Sequence, residues 1–544
     1  MCGILGIINA RAPYIYDENF CNGTSRGPEY SSLRCFRGNI VLGFHRLSIN
    51  GLDSDSDQPL EIDNIVLVCN GEIYNYKELY QLIDEEACRE TDSDCEIIIH
   101  LYKKYGIEQT LQMLDGEFSF ILIDINLEQG FVARDPYGVR PLYHYKKDTI
   151  LMYTSELKMI NSHISQDNQV HQFEPGTFMK LNLKKWLVTI EYKKKFSNFP
   201  FSYSSLNSVD EDIIGIMKQI NYNLREAVRK RITNTDREVC CLLSGGLDSS
   251  LVCSIAQEFS QTPIKTFSIG LKDSIDLINA KKVAEYIKSE HHEVIVSDDE
   301  FFNAIPEVIH AIESYDTTTV RASVGNYLIS KYIRDNTNCK VVLNGDGADE
   351  LSGGYLYFSN CIDPIEFDKE CKRLLNDICY FDVLRSDRSI SCNGIEARIP
   401  FLDITFVQHY LSISTHLRCD STNERMEKFL IRMAFNYDNL LPDEILWRRK
   451  EAFSDGVSGV SGANKSWSEI IKEKINQLPD EMLSNINKEY DHNNPTTTEQ
   501  QYYRYLFEQH YRYCEKTIPY LWMPKYVNAD DSSARTLSIY KPSV

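Results

Sequence analysis

Between residues 239 and 343 short apolar runs alternate with longer amphipathic ones, and this alternation restricts the fold more than any other feature of the chain. A strand over 239–243 leads into a helix from about Ser249, then a strand over 264–270, a helix over about 276–289 and a strand over 292–296. Helices over about 301–313 and 322–334 precede a strand over 340–343. Strands joined by helical crossovers run parallel. The pattern therefore predicts a parallel sheet covered by helices, with ligands at the carboxyl ends of its strands.

The first 180 or so residues follow another rule. They read as short apolar runs broken by turns: strand-like over 65–69 and 118–124, helical in spacing over 95–105, with a late turn at Pro175-Gly176. Residues 184–208 mix lysines, serines and aromatics without a period, as a connection between domains would. A chain of 544 residues exceeds what one core supports. The expected organisation is a domain over 2–183, a linker over 184–210 and a second domain over 211–544, largely helical beyond about Ser352. Residues 491–500, polar around Pro495, read as an exposed loop.

A formal net charge of −21 argues against nucleic acid and anionic membrane surfaces as main partners, because a field of that sign repels both. No apolar run approaches the roughly 20 residues that span a bilayer, and the first residues lack the regions of a secretory signal. A cytoplasmic protein is expected. Its 16 cysteines are scattered, with no C-x-x-C pairs at zinc spacing, so most should be structural thiols in a reducing compartment. Cys240 and Cys241, adjacent in an apolar run, fit that description. Cys2 does not.

Loss of Met1 would give Cys2 a free α-amino group, which titrates near ~8 and can take the thiol proton. Gly3 permits a tight bend beside it. Amide cleavage needs donors where the oxyanion develops. Asn70-Gly71-Glu72, directly after the 65–69 strand, could offer a side-chain amide and a backbone N–H. Arg46 suits the α-carboxylate of a free amino acid, and Glu72 and Asp94 suit its α-ammonium. Taken singly, Asn70-Gly71 is equally a hairpin turn and Arg46 a surface cation.

The neighbours decide between these readings. Met1-Cys2-Gly3-Ile4, Arg26-Gly27-Pro28, His45-Arg46-Leu47-Ser48-Ile49, Asn70-Gly71-Glu72-Ile73-Tyr74-Asn75, Ser93-Asp94-Cys95-Glu96 and Arg134-Asp135 resemble, in order, the class II glutamine amidotransferases. The resemblance implies a four-layer αββα N-terminal-nucleophile hydrolase domain. In it Cys2 attacks the glutamine carboxamide, forms a thioester and releases ammonia. It also implies oxyanion donors in Asn70 and the Gly71 N–H, and a glutamine pocket of Arg46, Leu47, Ser48, Ile49, Asn50, Asn70, Gly71, Glu72 and Asp94.

A second site follows the strand at 239–243. Leu243-Ser244-Gly245-Gly246-Leu247-Asp248-Ser249-Ser250 opens a helix; its glycines let backbone approach phosphate oxygens, and its hydroxyls and helix N-terminus favour an anion. The lysine of a Walker A loop is absent. These residues resemble the S-G-G-x-D-S loop of ATP pyrophosphatases, which cut ATP between the α- and β-phosphates. Asp248 is the natural Mg²⁺ ligand and Asp349 a candidate second, though an Asp near a helix start is commonly only a cap.

Further segments resemble asparagine synthetases: Thr266-Phe267-Ser268-Ile269-Gly270-Leu271, Gly345-Asp346-Gly347-Ala348-Asp349-Glu350, Glu396-Ala397-Arg398-Ile399-Pro400-Phe401-Leu402-Asp403 and Trp447-Arg448-Arg449-Lys450-Glu451-Ala452-Phe453-Ser454-Asp455-Gly456. Trp522-Met523-Pro524-Lys525 and Ala534-Arg535-Thr536-Leu537 look like the eukaryotic form. The resemblance implies a parallel-sheet α/β ATP-pyrophosphatase domain with extra helices. It places Leu243, Ile269, Asn344 and Gly345 about the adenosine, Arg321 on phosphate or substrate, and Lys450 against charge developing at the α-phosphate. Asp346 stands where that family commonly has Glu, so its carboxylate is one methylene shorter. His291-His292-Glu293 could pass for a metal cluster, but neighbours on a strand face opposite ways, which favours a structural role.

The function these resemblances imply is glutamine-dependent conversion of aspartate to asparagine through β-aspartyl-AMP, yielding AMP, pyrophosphate and glutamate. Glutamine, aspartate and ATP with Mg²⁺ would be its partners, and a homodimer its assembly. An amidotransferase of the same architecture acting on another carboxylate, or a catalytically weakened regulatory homologue, are the alternatives.

Overall fold

The structure is a computed structural model that describes residues 1–10, 17–83, 89–200, 212–419, 424–450, 467–486, 488–533 and 537. Residues 451–456 and 534–536, within segments that resemble the asparagine synthetases, lie outside the described residues, as do residues 201–210 of the expected linker.

Twelve strands form two antiparallel sheets in the first half. One contains β1 (Gly3–Ile8), β2 (Tyr30–Phe36), β3 (Ile40–Arg46), β8 (Tyr143–Lys147), β9 (Ile150–Thr154) and β10 (Val170–Gln172), in the order β10-β8-β9-β1-β3-β2. The other contains β4 (Leu60–Ile62), β5 (Ile65–Ile73), β6 (Gly116–Asp124), β7 (Gln129–Arg134), β11 (Thr177–Asn182) and β12 (Thr189–Lys195), in the order β12-β11-β7-β6-β5-β4. Alternate residues of each strand serve opposite faces. Ile4 and Ile8 of β1 pack with Val66, Val68, Ile121 and Ile123 into a core between the sheets. Leu5 and Ile7 of the same strand point outward.

The outer layers have different owners. The helices Tyr76–Ile83 and Ile97–Met113 cover the second sheet, closing a core around Leu67, Phe120 and Ile98. The first sheet is covered largely by the second half of the chain: Phe301, Ile305, Ile309, Trp467, Tyr503 and Phe507, from three helices, pack on its outward face. The expected four-layer arrangement is thus completed by the other domain.

The second half contains β13 (Val239–Leu242), β14 (Lys265–Leu271), β15 (Glu290–Val296), β16 (Val341–Leu343) and β17 (Glu396–Arg398), all parallel, in the order β15-β14-β13-β16-β17. Helices cover both faces: Cys241 and Leu343 point to one core, and Cys240 and Val342 to the other. The chain winds outward from β13 in one direction and resumes beside it with β16. That reversal opens a crevice at the carboxyl ends of β13 and β16, where ligands of open α/β sheets bind.

Three expectations need correction. Asn70-Gly71-Glu72 does not follow a strand but lies within β5, paired with Ser119, Phe118 and Glu117 of β6. Thr189–Lys195, inside the stretch assigned to the linker, pairs with β11 as an exposed edge strand, and the alternation of Val188, Ile190 and Tyr192 with polar neighbours is its signal in the sequence. The loop over 491–500 gives way to the helix Thr498–His510, and Glu499 within it is buried. His291 hydrogen-bonds Thr266 and Ser268, and His292 stacks on Phe267, as a structural role requires. Among the described residues no helix is long and apolar enough to cross a membrane, and no group of three side chains could hold a metal.

Candidate active sites

Cys2 immediately precedes β1, and Arg26 anchors that residue by donating from Nε to its carbonyl at 2.9 Å. The thiol lies 3.7 Å from the Leu47 carbonyl, and burial pushes it up to about 11. Met1 is buried, its sulfur against the guanidinium groups of Arg26 and Arg140, and the free amine expected at Cys2 requires its loss.

Asn70 is fully buried, and both polar atoms of its side chain lack a hydrogen-bond partner. A native interior rarely tolerates this without a ligand to satisfy it. Gly71 allows the close pairing of β5 and β6: a Cβ there would come within 2.4 Å of the Glu117 carbonyl. Glu72 accepts from Asn50 Nδ2 at 2.6 Å and pairs with Arg398 at 3.2 Å. Burial, with Asp94 and Glu396 adding repulsion, holds its carboxyl well above the usual range. Burial likewise raises Asp94 to about 6, although it accepts the Ile73 N–H at 2.6 Å. Carboxylates this crowded are primed to receive a cation such as an α-ammonium group.

Arg46 departs from expectation. Its guanidinium donates to the carbonyls of Asp53 and Gly51 and to the Asp57 carboxylate, pinning the loop after β3. Leu47 and Ile49 are buried in a core shared with the second half, while Ser48 is held by Glu29 and Arg237.

The second site fills the crevice of the parallel sheet. Leu243, Ser244, Gly246, Leu247, Asp248 and Ser249 line it from the loop after β13, Ile269 from β14, and Asn344, Gly345 and Asp346 from the loop after β16. Gly245 takes φ +72°, and a Cβ there would meet the Ala280 amide at 2.4 Å, so the turn demands glycine. The Ser244 and Ser249 hydroxyls lie 2.9 Å apart, and the helix Leu247–Phe259 starts with no side-chain cap, leaving its first N–H groups to a ligand. Ser250 is buried behind the loop with its hydroxyl unpartnered.

Charged groups ring the crevice. Lys450 lies 2.6 Å from Asp349 and 3.8 Å from Asp248. Burial opposes ionisation of Asp349, but Lys428 and Lys450 outweigh it and hold that carboxyl well below the usual range. Glu350 goes the other way: burial, Asp382 and Asp349 hold it well above that range. Asp346 pairs with Arg385 at 2.8 Å, and Arg385 with Asp382 at 3.0 Å. Asp248 keeps one buried oxygen without a hydrogen-bond partner, and both Asp349 oxygens face lysine ammonium groups. Two hard oxygen donors beside a phosphate loop suit Mg²⁺, so the residues present fit the ion.

Arg321 is not in this crevice. It is buried between Glu499 at 2.6 Å and Asp531 at 2.7 Å, tying the helix Thr317–Asn336 to the end of the chain. Lys428 and Arg385 are the residues that sequence reasoning missed. Neither sits in a segment with a spacing that singles it out.

Fold and sites together define a glutamine amidotransferase domain fused to a nucleotide-dependent ligase domain. A glutamine amidotransferase domain profile matches residues 1–194, and an asparagine synthase profile matches 219–363 and 364–524. The asparagine synthetase [glutamine-hydrolyzing] of Cricetulus griseus is 43% identical over 540 residues, covering 95% of this chain and 94% of its own. That of Homo sapiens is 42% identical over 543 residues, covering 95% of each. A solved glutamine phosphoribosylpyrophosphate amidotransferase from B. subtilis is similar over 54% of this chain and 91% of its own, at 16% identity and a TM-score of 0.33. The chain belongs to the asparagine synthase family, in its glutamine-hydrolysing, two-domain form.

Proposed function

We propose that this chain makes asparagine from aspartate, with glutamine as the nitrogen donor and ATP as the activating co-substrate. The observation that carries the reading is the presence, in one chain 43% identical to a glutamine-hydrolysing asparagine synthetase, of both the Cys2 site and the phosphate crevice.

In the first half, Cys2 Sγ adds to the glutamine carboxamide carbon, and Asn70, whose amide lacks a partner, donates to the oxyanion. Glu72 and Asp94 take the α-ammonium group. Collapse expels ammonia and leaves a thioester, which water hydrolyses to glutamate. Loss of Met1 would supply the amine that accepts the thiol proton, relieving a thiol otherwise held near 11 by burial.

In the second half, the aspartate side-chain carboxylate attacks the α-phosphorus of ATP, giving β-aspartyl-AMP and pyrophosphate. Lys450 stabilises the charge that develops there, and the serine loop holds the departing pyrophosphate. Mg²⁺, held by Asp248 and Asp349, would neutralise charge on the phosphates. Ammonia then displaces AMP from the acyl carbon. It must travel unprotonated, and loss of Met1 would open space for such a route at the seam. Met1 packs in a cluster with Phe267, Ile269 and Ile329, which also line the nucleotide crevice. The described cysteines are all free thiols, as suits a reducing, intracellular setting.

Pyrophosphate release from the purified protein with Mg-ATP, adding aspartate and then ammonium or glutamine, tests the reading, with asparagine assayed in parallel. Aspartate-dependent pyrophosphate and glutamine-dependent asparagine are expected. Glutamine hydrolysis with no aspartate-dependent pyrophosphate would overturn it in favour of another acceptor carboxylate.

A further inference from the structure

Lys428 occupies an unusual position for an ammonium group. Its Nζ lies 2.5 Å from Asp248 Oδ2 and 2.6 Å from Asp349 Oδ1, and the side chain is 1% exposed. It therefore bridges the same two carboxylates that fit a divalent cation. Lys450 approaches them from another side, at 2.6 Å from Asp349 Oδ2. Two ammonium groups and two carboxylates form a set of zero formal charge at the floor of the crevice. The scaffold fixes Lys428 there: its backbone takes φ 58°, and its stem fills the space over Gly354, where a Cβ would come within 2.2 Å of Lys428 Cε.

We propose that Lys428 is a resident counter-ion, standing between Asp248 and Asp349 in the nucleotide-free protein and yielding those carboxylates to a divalent cation only when that cation arrives with nucleotide phosphates. The argument is electrostatic and rests on the reading that this crevice takes ATP. A bare divalent cation entering a neutral, buried set would add two positive charges within a few ångströms of two ammonium groups, at low local dielectric. A metal–triphosphate complex carries a net negative charge. Its phosphate oxygens give the Lys428 ammonium a new partner as the carboxylates turn to the metal, so no charge is left uncompensated. Asp248 Oδ1, buried and unpartnered, is the oxygen already free for that exchange.

Mn²⁺ binding to the full-length, nucleotide-free protein, read by electron paramagnetic resonance, tests this. Wild type should bind Mn²⁺ at least about tenfold more weakly than Lys428→Met, in which the two carboxylates are left without that cation. Lys428→Arg should exclude Mn²⁺ as wild type does, and Lys428→Gln repeats the neutral substitution should the methionine variant fail to fold. In thermal melts the neutral variants should lose stability in EDTA and regain it with Mn²⁺. Equal nucleotide-free Mn²⁺ affinity in wild type and both neutral variants would overturn the proposal and leave Lys428 a structural ion pair. A non-hydrolysable ATP analogue, α,β-methylene-ATP, should raise Mn²⁺ affinity in wild type. No binding of that analogue would overturn the nucleotide reading and the counter-ion role with it, whereas the nucleotide-free comparison bears on Lys428 alone.

Discussion

Arg398 touches Glu72 across the seam between the two halves: the guanidinium lies 3.2 Å from Glu72 and 2.8 Å from Glu396, while the Arg398 carbonyl accepts the Asn344 N–H at 3.2 Å. One residue thus joins a carboxylate of the glutamine site to a residue of the nucleotide crevice. Its side chain is fully buried, so Arg398→Met would remove the cation that bridges Glu72 and Glu396. We expect a loss of about 3–5 kcal/mol in chemical denaturation, the cost of breaking a buried pair from one side. A change below about 1 kcal/mol would mean that Arg140, near the same carboxylates, carries the compensation.

Cys2→Ala should abolish asparagine formation from glutamine and leave formation from ammonium intact, because the second site does not use the thiol. A permanent extension ahead of Cys2 should act the same way. Normal glutamine hydrolysis by such an extended protein would rule out the free-amine mechanism.

Asn70→Ala should lower glutamine-dependent turnover by about 10²–10³ with little change in glutamine KM, as expected for a donor used mainly in the transition state. A raised KM with unchanged kcat would place Asn70 in ground-state binding instead.

Asp94 links pH to both stability and substrate. Its carboxyl is raised to about 6, against ~3.9 in an unfolded chain. The folded protein therefore holds this proton more tightly, and the group withdraws stability as pH rises from about 4 to about 6, in full above that, by about 3 kcal/mol. Asp94→Asn keeps an acceptor for the Ile73 N–H and loses the charge. Its melting temperature at pH 7 should rise, its stability should fall less between pH 4 and 6, and its glutamine KM should increase. A lower melting temperature at pH 7 would contradict this account.

Asp346→Glu should match or exceed wild-type synthetase turnover. The longer acid keeps Arg385 within reach and moves the carboxylate on the order of an ångström into the crevice, a distance that matters for positioning. Complete loss of turnover would show that the surrounding pocket is fitted to the shorter side chain.

The parallel sheet was legible because its inner strands β14 and β16 are largely buried and its strands are separated by long amphipathic helices, a pattern few other folds produce. Its β17 was not, since three residues with Glu396 and Arg398 buried at the domain seam read as polar. The serine–glycine loop and Cys2 were legible from local chemistry alone. Lys428 was not: a lysine beside Glu427 reads as surface charge, and only the fold brings it to Asp248, 180 positions earlier. Arg321 misled for the complementary reason. The partners that occupy it, Glu499 and Asp531, lie far along the chain in segments that look like polar loop and tail. Asn70-Gly71 carries the composition of a tight turn, yet β6 holds it straight.

The covering of the first sheet by helices of the second half means that the two catalysts cannot be parted. Cut away, the glutamine half would show Leu5, Ile7, Val41, Tyr143, Tyr145 and Met152 to water as one greasy wall, a surface that invites clumping rather than catalysis. A gene split at the boundary would not yield two smaller enzymes. It would yield one sticky fragment and one helical partner missing the surface it was shaped to cover, so any lineage that separates the two activities must first evolve a new lid for that wall.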